Sequence, residues 1–193
     1  MGYEQPIVDA DAEGPTRHKL TVEEFLILDE AGVFDTKHME LIDGEIFGVS
    51  PTYQPHARIF ATMMHELVTA VRRLDAGLVA YSPVSTRFDN HNLPEPDLMV
   101  AVNDGSDRFM APESVRIAME VSSSSLRHDL VKKAELYARF AVPEYWVIDV
   151  NHQRVIRMHL PASGEYGQRT EFAFGQPVPS ATIPGLIVDT SLL

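Results

Sequence analysis

The chain has 193 residues, 45% of them hydrophobic, and a formal net charge of −12. This length is enough for one domain with a sizeable core, but the acidic balance provides no general positive field that would attract nucleic acid. The lack of cysteine excludes disulfides, thiolate zinc sites and cysteine nucleophiles. No apolar run of about 18 residues and no signal-peptide pattern occur, so we expect a soluble, cytoplasmic protein with no membrane span.

The N-terminal part of the chain predicts a tail, a helix and a hairpin. Residues 1–19 have mixed charge and little periodicity, and we expect a mobile tail there, followed by one domain over residues 20–193. The Thr21–Glu24 pattern is a capping box that predicts the start of a helix. Residues 39–49 predict a hairpin that turns at Asp43-Gly44. Glu40 lies on this hairpin, and the pattern leaves its exposure open.

The next segments predict a long helix and two strands. Residues 54–74 have an apolar stripe at helical spacing. His56 lies on this stripe near the N-terminal end, where it is either a packed core residue or part of an anion site. Residues 77–88 predict a strand pair broken at Ser82-Pro83. Residues 89–92 are polar, which turn chemistry explains more simply than metal binding.

Two carboxylates are placed at opposite ends of two predicted strands. Residues 98–102 and 115–121 are short, apolar and rich in β-branched side chains. Asp97 stands at the start of the first strand and Glu120 near the end of the second. If the strands are antiparallel neighbours, the two carboxylates converge, on the face opposite the more apolar one.

The segment that follows predicts a helix with an inward lysine. Lys133 falls within its apolar stripe and Lys132 falls outside it. A buried ammonium is costly unless it has an anionic partner, and Glu120, Asp97 and Asp129 are available. A snorkelling stem or a structural ion pair is the alternative interpretation. The stripe is formed by residues spaced three or four apart: Leu126, Leu130, Ala134, Tyr137 and Ala141.

The C-terminal part predicts further strands. Residues 145–150 and 155–159 read as two strands joined by a hairpin at 151–153, with Trp146 as a packing residue. Residues 161–193 carry several prolines and glycines. We expect them to form short strands or a C-terminal arm packed on the domain.

The order of these residues resembles a known group of nucleases. Pro96-Asp97, a glutamate 23 residues later (120 − 97) and an inward lysine resemble the PD-(D/E)XK, or restriction-endonuclease-like, superfamily. Over about residues 20–160 the chain is more closely similar to the bacterial family of "putative restriction endonucleases". The similarity rests on Glu-Leu-Ile-Asp-Gly-Glu at 40–45, Ser50-Pro51, His56, Asp129, Lys133, Tyr137 and Val-Pro-Glu-Tyr-Trp at 142–146.

Two features depart from the superfamily pattern. The superfamily lysine stands two residues after the glutamate, where this chain has Ser122; Lys133 on the helix fits its place instead. The turn that usually reads Ser-Pro-Ser-Thr is Ser-Ser-Ser-Leu at 123–126.

The resemblance implies an α/β (α+β) fold in which helices flank a restriction-endonuclease-like mixed central sheet, with an N-terminal helix and hairpin. It implies a homodimeric endonuclease that hydrolyses DNA with Mg²⁺ or Mn²⁺. The metal ligands would be Asp97, Glu120, the Val121 carbonyl and Glu40. Lys133 would act with Asp97, Glu120 and Glu40 in catalysis, and the minor candidates are His56, Asp129 and Tyr137.

An alternative function is a binding or assembly module with little or no catalysis, which the acidic balance and the altered serine turn favour. Zinc and serine hydrolases are less favoured, because neither HExxH nor GxSxG occurs. The serine run at 122–125 is better explained by helix capping at Ser125.

Overall fold

The computed structural model describes residues 17–35, 38–48, 53–74, 76–103, 105 and 108–193; residues 1–16 of the predicted tail lie outside this part. Helix α1, Val22–Glu30, begins at the predicted capping box. The Glu24 N–H donates to Thr21 Oγ1 (3.2 Å) and the Thr21 N–H donates to the Glu24 carboxylate (2.8 Å). The helix ends just before Gly32, whose φ of +75° suits a left-handed terminus.

The predicted hairpin is confirmed as strands β1, Met39–Ile42, and β2, Glu45–Gly48. Asp43 and Gly44 both have positive φ (53° and 73°), as a tight hairpin turn requires. At Gly44 the chain also passes so close to Lys19 that an added Cβ would lie 2.6 Å from the Lys19 Cβ. The hairpin therefore packs tightly on the segment that leads into α1.

The core of the domain is a six-stranded mixed sheet, in agreement with the predicted fold class. Its order is β3-β4-β5-β6-β7-β8. All neighbours are antiparallel except β5 and β6, which are parallel and are joined by a helix. The strands are β3 Leu78–Tyr81, β4 Leu98–Val102, β5 Val115–Ser122, β6 Glu144–Asp149, β7 Arg154–Ala162 and β8 Glu165–Ala173.

A helix covers each face of this sheet. Helix α2, Gln54–Leu74, packs its stripe on one face through residues such as Met63 and Leu67. Helix α3, residues 126–139, covers the other face and consists of α-helical turns at Leu126–His128 and Ala134–Arg139 around a π-helical turn at Asp129–Lys133. Asp97 and Glu120 lie on the face opposite Leu98 and Met119, as strand alternation predicts, and α3 covers this face as well.

Two local predictions, a strand over residues 84–88 and a place for Ala141 on the helical stripe, are wrong. Residues 84–88 do not form a sheet strand. The N–H groups of Thr86 and Phe88 donate to the carbonyls of Pro94 and Asn92, so this segment pairs with the residues that follow the next turn instead of with the sheet. Ala141 is exposed, with a φ of +56°, because α3 has already ended and the chain reverses before β6.

The last part of the chain returns to the sheet. Residues 165–173 form its edge strand, and β9, Val178–Pro179, pairs with β10, Ile187–Val188. The segment between them is fastened to β6 by Glu144, which accepts hydrogen bonds from Ser180, Ala181 and Thr182. In the described part of the chain, no helix has the length and apolar character needed to cross a membrane.

Candidate active site

Asp97 and Glu120 lie at neighbouring strand ends. Leu98 of β4 pairs with Met119 of antiparallel β5, and continuing this register places Asp97 opposite Glu120. The Asp97 Oδ2 accepts a hydrogen bond of 2.7 Å from the Val121 N–H. The Asp97 side chain is 27% exposed and that of Glu120 only 5%. Asp97 is therefore on the solvent side and Glu120 on the buried side of the region between the ends of β4 and β5 and helix α3, which we call the cleft.

The same register turns the Val121 carbonyl towards the β4 side of β5, where Asp97 lies. In a strand, the N–H and C=O of one residue point to the same neighbour, and the Val121 N–H points towards Asp97. Continuing the register places Pro96 opposite Val121. Proline has no N–H to donate, so β4 offers the Val121 carbonyl no donor.

Lys133 joins three elements at the floor of the cleft. Its Nζ donates to Glu120 Oε1 on β5 and to Glu40 Oε1 on β1, both at 2.9 Å. The Lys133 side chain is only 6% exposed, whereas Lys132 is exposed, which is the orientation that the helical stripe predicts. Tyr137, one turn later, donates its hydroxyl to the same Glu120 oxygen at 3.0 Å. Glu40, whose exposure the sequence left open, is buried.

Asp129 is buried beside this group. Its Oδ2 accepts hydrogen bonds from the hydroxyls of Ser122 (2.5 Å) and Ser125 (2.7 Å). The expectation that Ser125 caps the helix through its side chain is therefore wrong. A buried carboxylate requires donors, and the Ser125 hydroxyl serves Asp129 rather than accepting a backbone N–H.

His56 borders the mouth of the cleft. Its Nε2 lies 3.9 Å from Asp97 Oδ2, which is an ion-pair distance but too long for a hydrogen bond. Its Nδ1 is shielded from solvent and has no hydrogen-bond partner. Ser50 and Pro51, which precede this helix in the family pattern, lie outside the described residues.

A match to a protein-family model decides which family the chain belongs to. The family model described as "Uma2: Putative restriction endonuclease" matches residues 22–191, which is most of the chain.

The chain belongs to the Uma2 family.

A solved structure has a related fold. The chain is similar to a protein described as "a putative nuclease belonging to DUF820" from Anabaena variabilis ATCC 29413, with a TM-score of 0.65. The two share 18% sequence identity, and the match covers 90% of this chain and 93% of the other. At this identity the similarity shows the fold alone, which confirms the predicted restriction-endonuclease-like architecture. No curated protein matches the chain.

The cleft of this Uma2 protein carries more negative than positive charge. Burial raises the pKa of Glu120 well above its ordinary value, and the neighbouring Asp97, Asp129 and Glu40 add to this against the effect of Lys133. Burial also raises the pKa of Asp97, although the Val121 N–H opposes it. Burial would lower the pKa of Lys133, but the surrounding carboxylates outweigh it and raise the pKa, so the amine is an ammonium.

These donors suit a hard divalent cation. Asp97 and Glu120 offer carboxylate oxygens and Val121 offers a carbonyl, which are the ligands that Mg²⁺ and Mn²⁺ prefer. Burial is the main cause of the raised pKa values of both carboxylates, and repulsion from neighbouring carboxylates adds to it; a bound cation would offset this repulsion. Among the described residues, no three His, Asp or Glu side chains are grouped for a metal ion. The Val121 carbonyl and water are further oxygen donors for a set built on Asp97 and Glu120.

The sequence analysis did not predict the contacts that three residues make around the site: Glu95, Tyr145 and Ser122. The Glu95 N–H donates to Glu40 Oε1 at 2.7 Å, and the Tyr145 hydroxyl donates to the Asp129 carbonyl at 3.0 Å. Ser122 binds Asp129. Strand alternation could have identified Ser122, which lies two residues after Glu120 and so on the same face. Tyr145 gave no such signal, because its contact depends on the parallel pairing of β5 and β6.

Proposed function

We propose that this Uma2 protein is a metal-dependent endonuclease that hydrolyses DNA phosphodiester bonds in the cleft between Asp97, Glu120 and Lys133. One observation carries the proposal: a buried ammonium is held at 2.9 Å by glutamates of two separate elements, beside the Asp97 carboxylate. Buried charges with perturbed pKa values that line a cleft are typical of active sites. Family membership supports the nuclease class.

The metal would be held by the carboxylates of Asp97 and Glu120 and by the Val121 carbonyl. Glu40 would complete the coordination or serve a second ion through its other oxygen, because its Oε1 already accepts from Lys133 and Glu95. When bound, Mg²⁺ or Mn²⁺ supplies a water of lowered pKa and neutralises charge on the phosphate. Such an ion would also offset locally the acidic charge of the whole chain.

Lys133 would act on the phosphate directly. Its raised pKa keeps the ammonium charged, so it can orient the attacking water or stabilise the charge that develops on the phosphate oxygens. Tyr137 and Lys133 both donate to Glu120 Oε1 and so fix this carboxylate.

The proposal is tested by Mn²⁺ binding and plasmid nicking in wild type and Asp97→Ala. A ligand that binds only the native state at 100 times its Kd adds about 2.7 kcal/mol to the free energy of unfolding. We expect Mn²⁺ to raise the melting temperature of wild type, and Asp97→Ala to lose this rise and the nicking of supercoiled DNA together. The control is Asp29→Ala, at an exposed position on α1. Nicking by Asp97→Ala at the wild-type rate would overturn the site assignment.

The second candidate function is a binding or assembly module. The net charge of −12 favours it, as do the ion pairs that Lys133 makes with Glu40 and Glu120, which give both buried carboxylates a partner within the protein. The same experiment separates the two functions: a wild-type protein that binds Mn²⁺ but nicks no nucleic acid is such a module. In either case the family resemblance implies a homodimer, which sedimentation equilibrium would test, and the lack of a signal-peptide pattern in the sequence favours a cytoplasmic location.

A further inference from the structure

Helix α3 changes its hydrogen-bonding pattern just before the catalytic candidate Lys133. Over Asp129–Lys133 it is π-helical: the Ala134 N–H donates to the Asp129 carbonyl, five residues earlier instead of four. A π turn holds one residue more than an α turn. Residues after it are therefore rotated by about 100° relative to an uninterrupted α-helix. Lys133 is the last residue of this turn, so its direction depends on the turn.

A tyrosine hydroxyl enters the helix at this point. Tyr145 lies on β6, is fully buried and donates its hydroxyl to the Asp129 carbonyl at 3.0 Å. This is the same carbonyl that accepts the Ala134 N–H. A side chain that inserts into the backbone ladder is an established cause of local helix distortion. Burial raises the pKa of the Tyr145 phenol well above its ordinary value, so the hydroxyl stays protonated and must donate.

The side chain of Asp129 is held as well as its carbonyl. The Ser122 hydroxyl, at the end of β5, donates to Asp129 Oδ2. Both the main chain and the carboxylate of Asp129 are therefore attached to the central sheet, one through β6 and one through β5. Lys133, four residues later, reaches Glu40 and Glu120 from this fixed point.

We propose that Tyr145 is a positioning residue for Lys133: its hydroxyl maintains the π turn that brings the ammonium between Glu40 and Glu120. Tyr145 donates to the helix backbone and to no proposed metal ligand. Its effect on the site passes through the helix. The catalytic consequence rests on the proposed function, whereas the placement of Lys133 does not.

The test compares Tyr145→Phe with the matched control Tyr166→Phe. The Tyr166 hydroxyl also donates to a carbonyl, that of Val142, at 3.0 Å, and its ring stacks on Tyr145 with centroids 6.2 Å apart. Each variant therefore loses one hydroxyl–carbonyl hydrogen bond from the same aromatic group. Only Tyr145→Phe removes a bond to the π turn.

The measurement is the side-chain ammonium spectrum of ¹⁵N-lysine-labelled, metal-free protein. The chain has four lysines, and Lys133→Met assigns the Lys133 signal. We expect slow exchange of the Lys133 ammonium protons with water in wild type and in Tyr166→Phe. In Tyr145→Phe the exchange should be at least about tenfold faster, because a tenfold change corresponds to one hydrogen bond of ordinary strength. An unchanged signal in Tyr145→Phe, or equal acceleration in both variants, would overturn the proposal.

A second variant keeps the test decisive if Tyr145→Phe does not fold. Ser122→Ala releases the Asp129 carboxylate from β5 and should accelerate the same exchange by a smaller factor; an unchanged signal would again overturn the proposal. Because the spectrum is recorded without metal or nucleic acid, its result does not depend on nuclease activity. If wild type nicks DNA, Tyr145→Phe should lower kcat and leave KM unchanged. If wild type does not nick, the proposed function fails while the spectrum still decides the role of Tyr145.

Discussion

Glu120 and Glu144 are buried carboxylates on the neighbouring strands β5 and β6, but their surroundings differ. Glu144 accepts hydrogen bonds from five uncharged donors: the Trp146 indole, the Ser180 and Thr182 hydroxyls and the N–H groups of Ala181 and Thr182. Glu120 accepts from one ammonium and one phenol, both at the same oxygen. It also lies near Asp97, Asp129 and Glu40, which raise its pKa further.

The difference separates a carboxylate that is saturated with hydrogen bonds from one that is not. The donors around Glu144 satisfy both of its oxygens and attach the C-terminal segment to the sheet, so the negative charge is stabilised without a counter-ion. Glu120 has a single counter-charge, which it shares with Glu40. A carboxylate in this situation gains from a further cation, whereas one that is already saturated with hydrogen bonds does not. Burial alone would not have distinguished the two residues.

The largest effect should follow from removing the counter-charge at Glu120. Lys133→Met keeps an unbranched side chain but leaves two buried glutamates without their ammonium. Breaking one side of a buried pair costs about 3–5 kcal/mol of unfolding free energy, and nicking should fall by about 10²–10³-fold. Urea denaturation and the plasmid assay measure these effects. Mn²⁺ should still stabilise the variant, because Asp97, Glu120 and the Val121 carbonyl remain.

The control for this prediction is the neighbouring residue. Lys132→Met changes the same residue type on the exposed side of α3, and surface substitutions of this kind usually stay within about 0.5 kcal/mol. If Lys132→Met and Lys133→Met destabilise equally, the buried ion pairs of Lys133 do not stabilise the fold in the way their geometry indicates.

An intermediate effect should follow from changing the saturated carboxylate. In Glu144→Gln the new amide NH₂ faces donors that it cannot accept from, so the unfolding free energy should fall by about 1–3 kcal/mol. The Mn²⁺-induced rise in melting temperature should equal that of wild type, because the hydrogen-bond partners of Glu144 include none of the proposed metal ligands. A variant that loses the metal response would show that the two carboxylates are not independent.

Some of this site follows from sequence periodicity and some does not. The convergence of Asp97 and Glu120 follows from strand alternation. Helical spacing predicts that Lys133 lies on the same side of α3 as Tyr137, four residues later, but it does not predict the π turn that sets the direction of both side chains. The contribution of Glu40 came only from family resemblance, because its partner lies 93 residues away in the chain. The π turn and its contact with Tyr145 depend on the parallel pairing of β5 and β6, which a local pattern does not reveal.

Local sequence patterns also failed to predict parts of the fold that depend on distant contacts. Residues 84–88 have the β-branched and aromatic composition of a strand, but composition does not specify a partner. Their N–H groups bond to Met110 and to residues 92–94 instead of to the sheet. Glu144 stood only in the family pattern at 142–146, just before the predicted strand, and no role was predicted for it. The donors that saturate it, apart from Trp146, come from residues 36–38 positions later.

The smallest effect concerns a third buried carboxylate, and it depends on pH. Asp149, at the end of β6, is fully buried but accepts from His152 and from Arg154, which reach it from the following turn and strand. Burial alone would raise the pKa of Asp149, but the bonds from His152 and Arg154 outweigh it and hold the pKa below its ordinary value. Asp149 therefore has one guanidinium and one imidazole as partners, so its surroundings are intermediate between those of Glu120 and Glu144.

A carboxyl whose pKa is lower in the folded than in the unfolded state stabilises the protein above its unfolded pKa, about 3.9. This stabilisation is lost as the pH falls through the folded pKa. Asp149→Asn should therefore be less stable than wild type by about 1 kcal/mol at pH 7, since it loses a charge-assisted hydrogen bond. The difference should stay constant down to about pH 5 and shrink below about pH 4. Urea denaturation at pH 7, 5, 4 and 3 measures it, with Glu171→Gln as the control at the exposed partner of the same Arg154. A difference that grows as the pH falls would mean that the Asp149 carboxyl is protonated in the folded protein and that burial, not its cationic partners, sets its pKa.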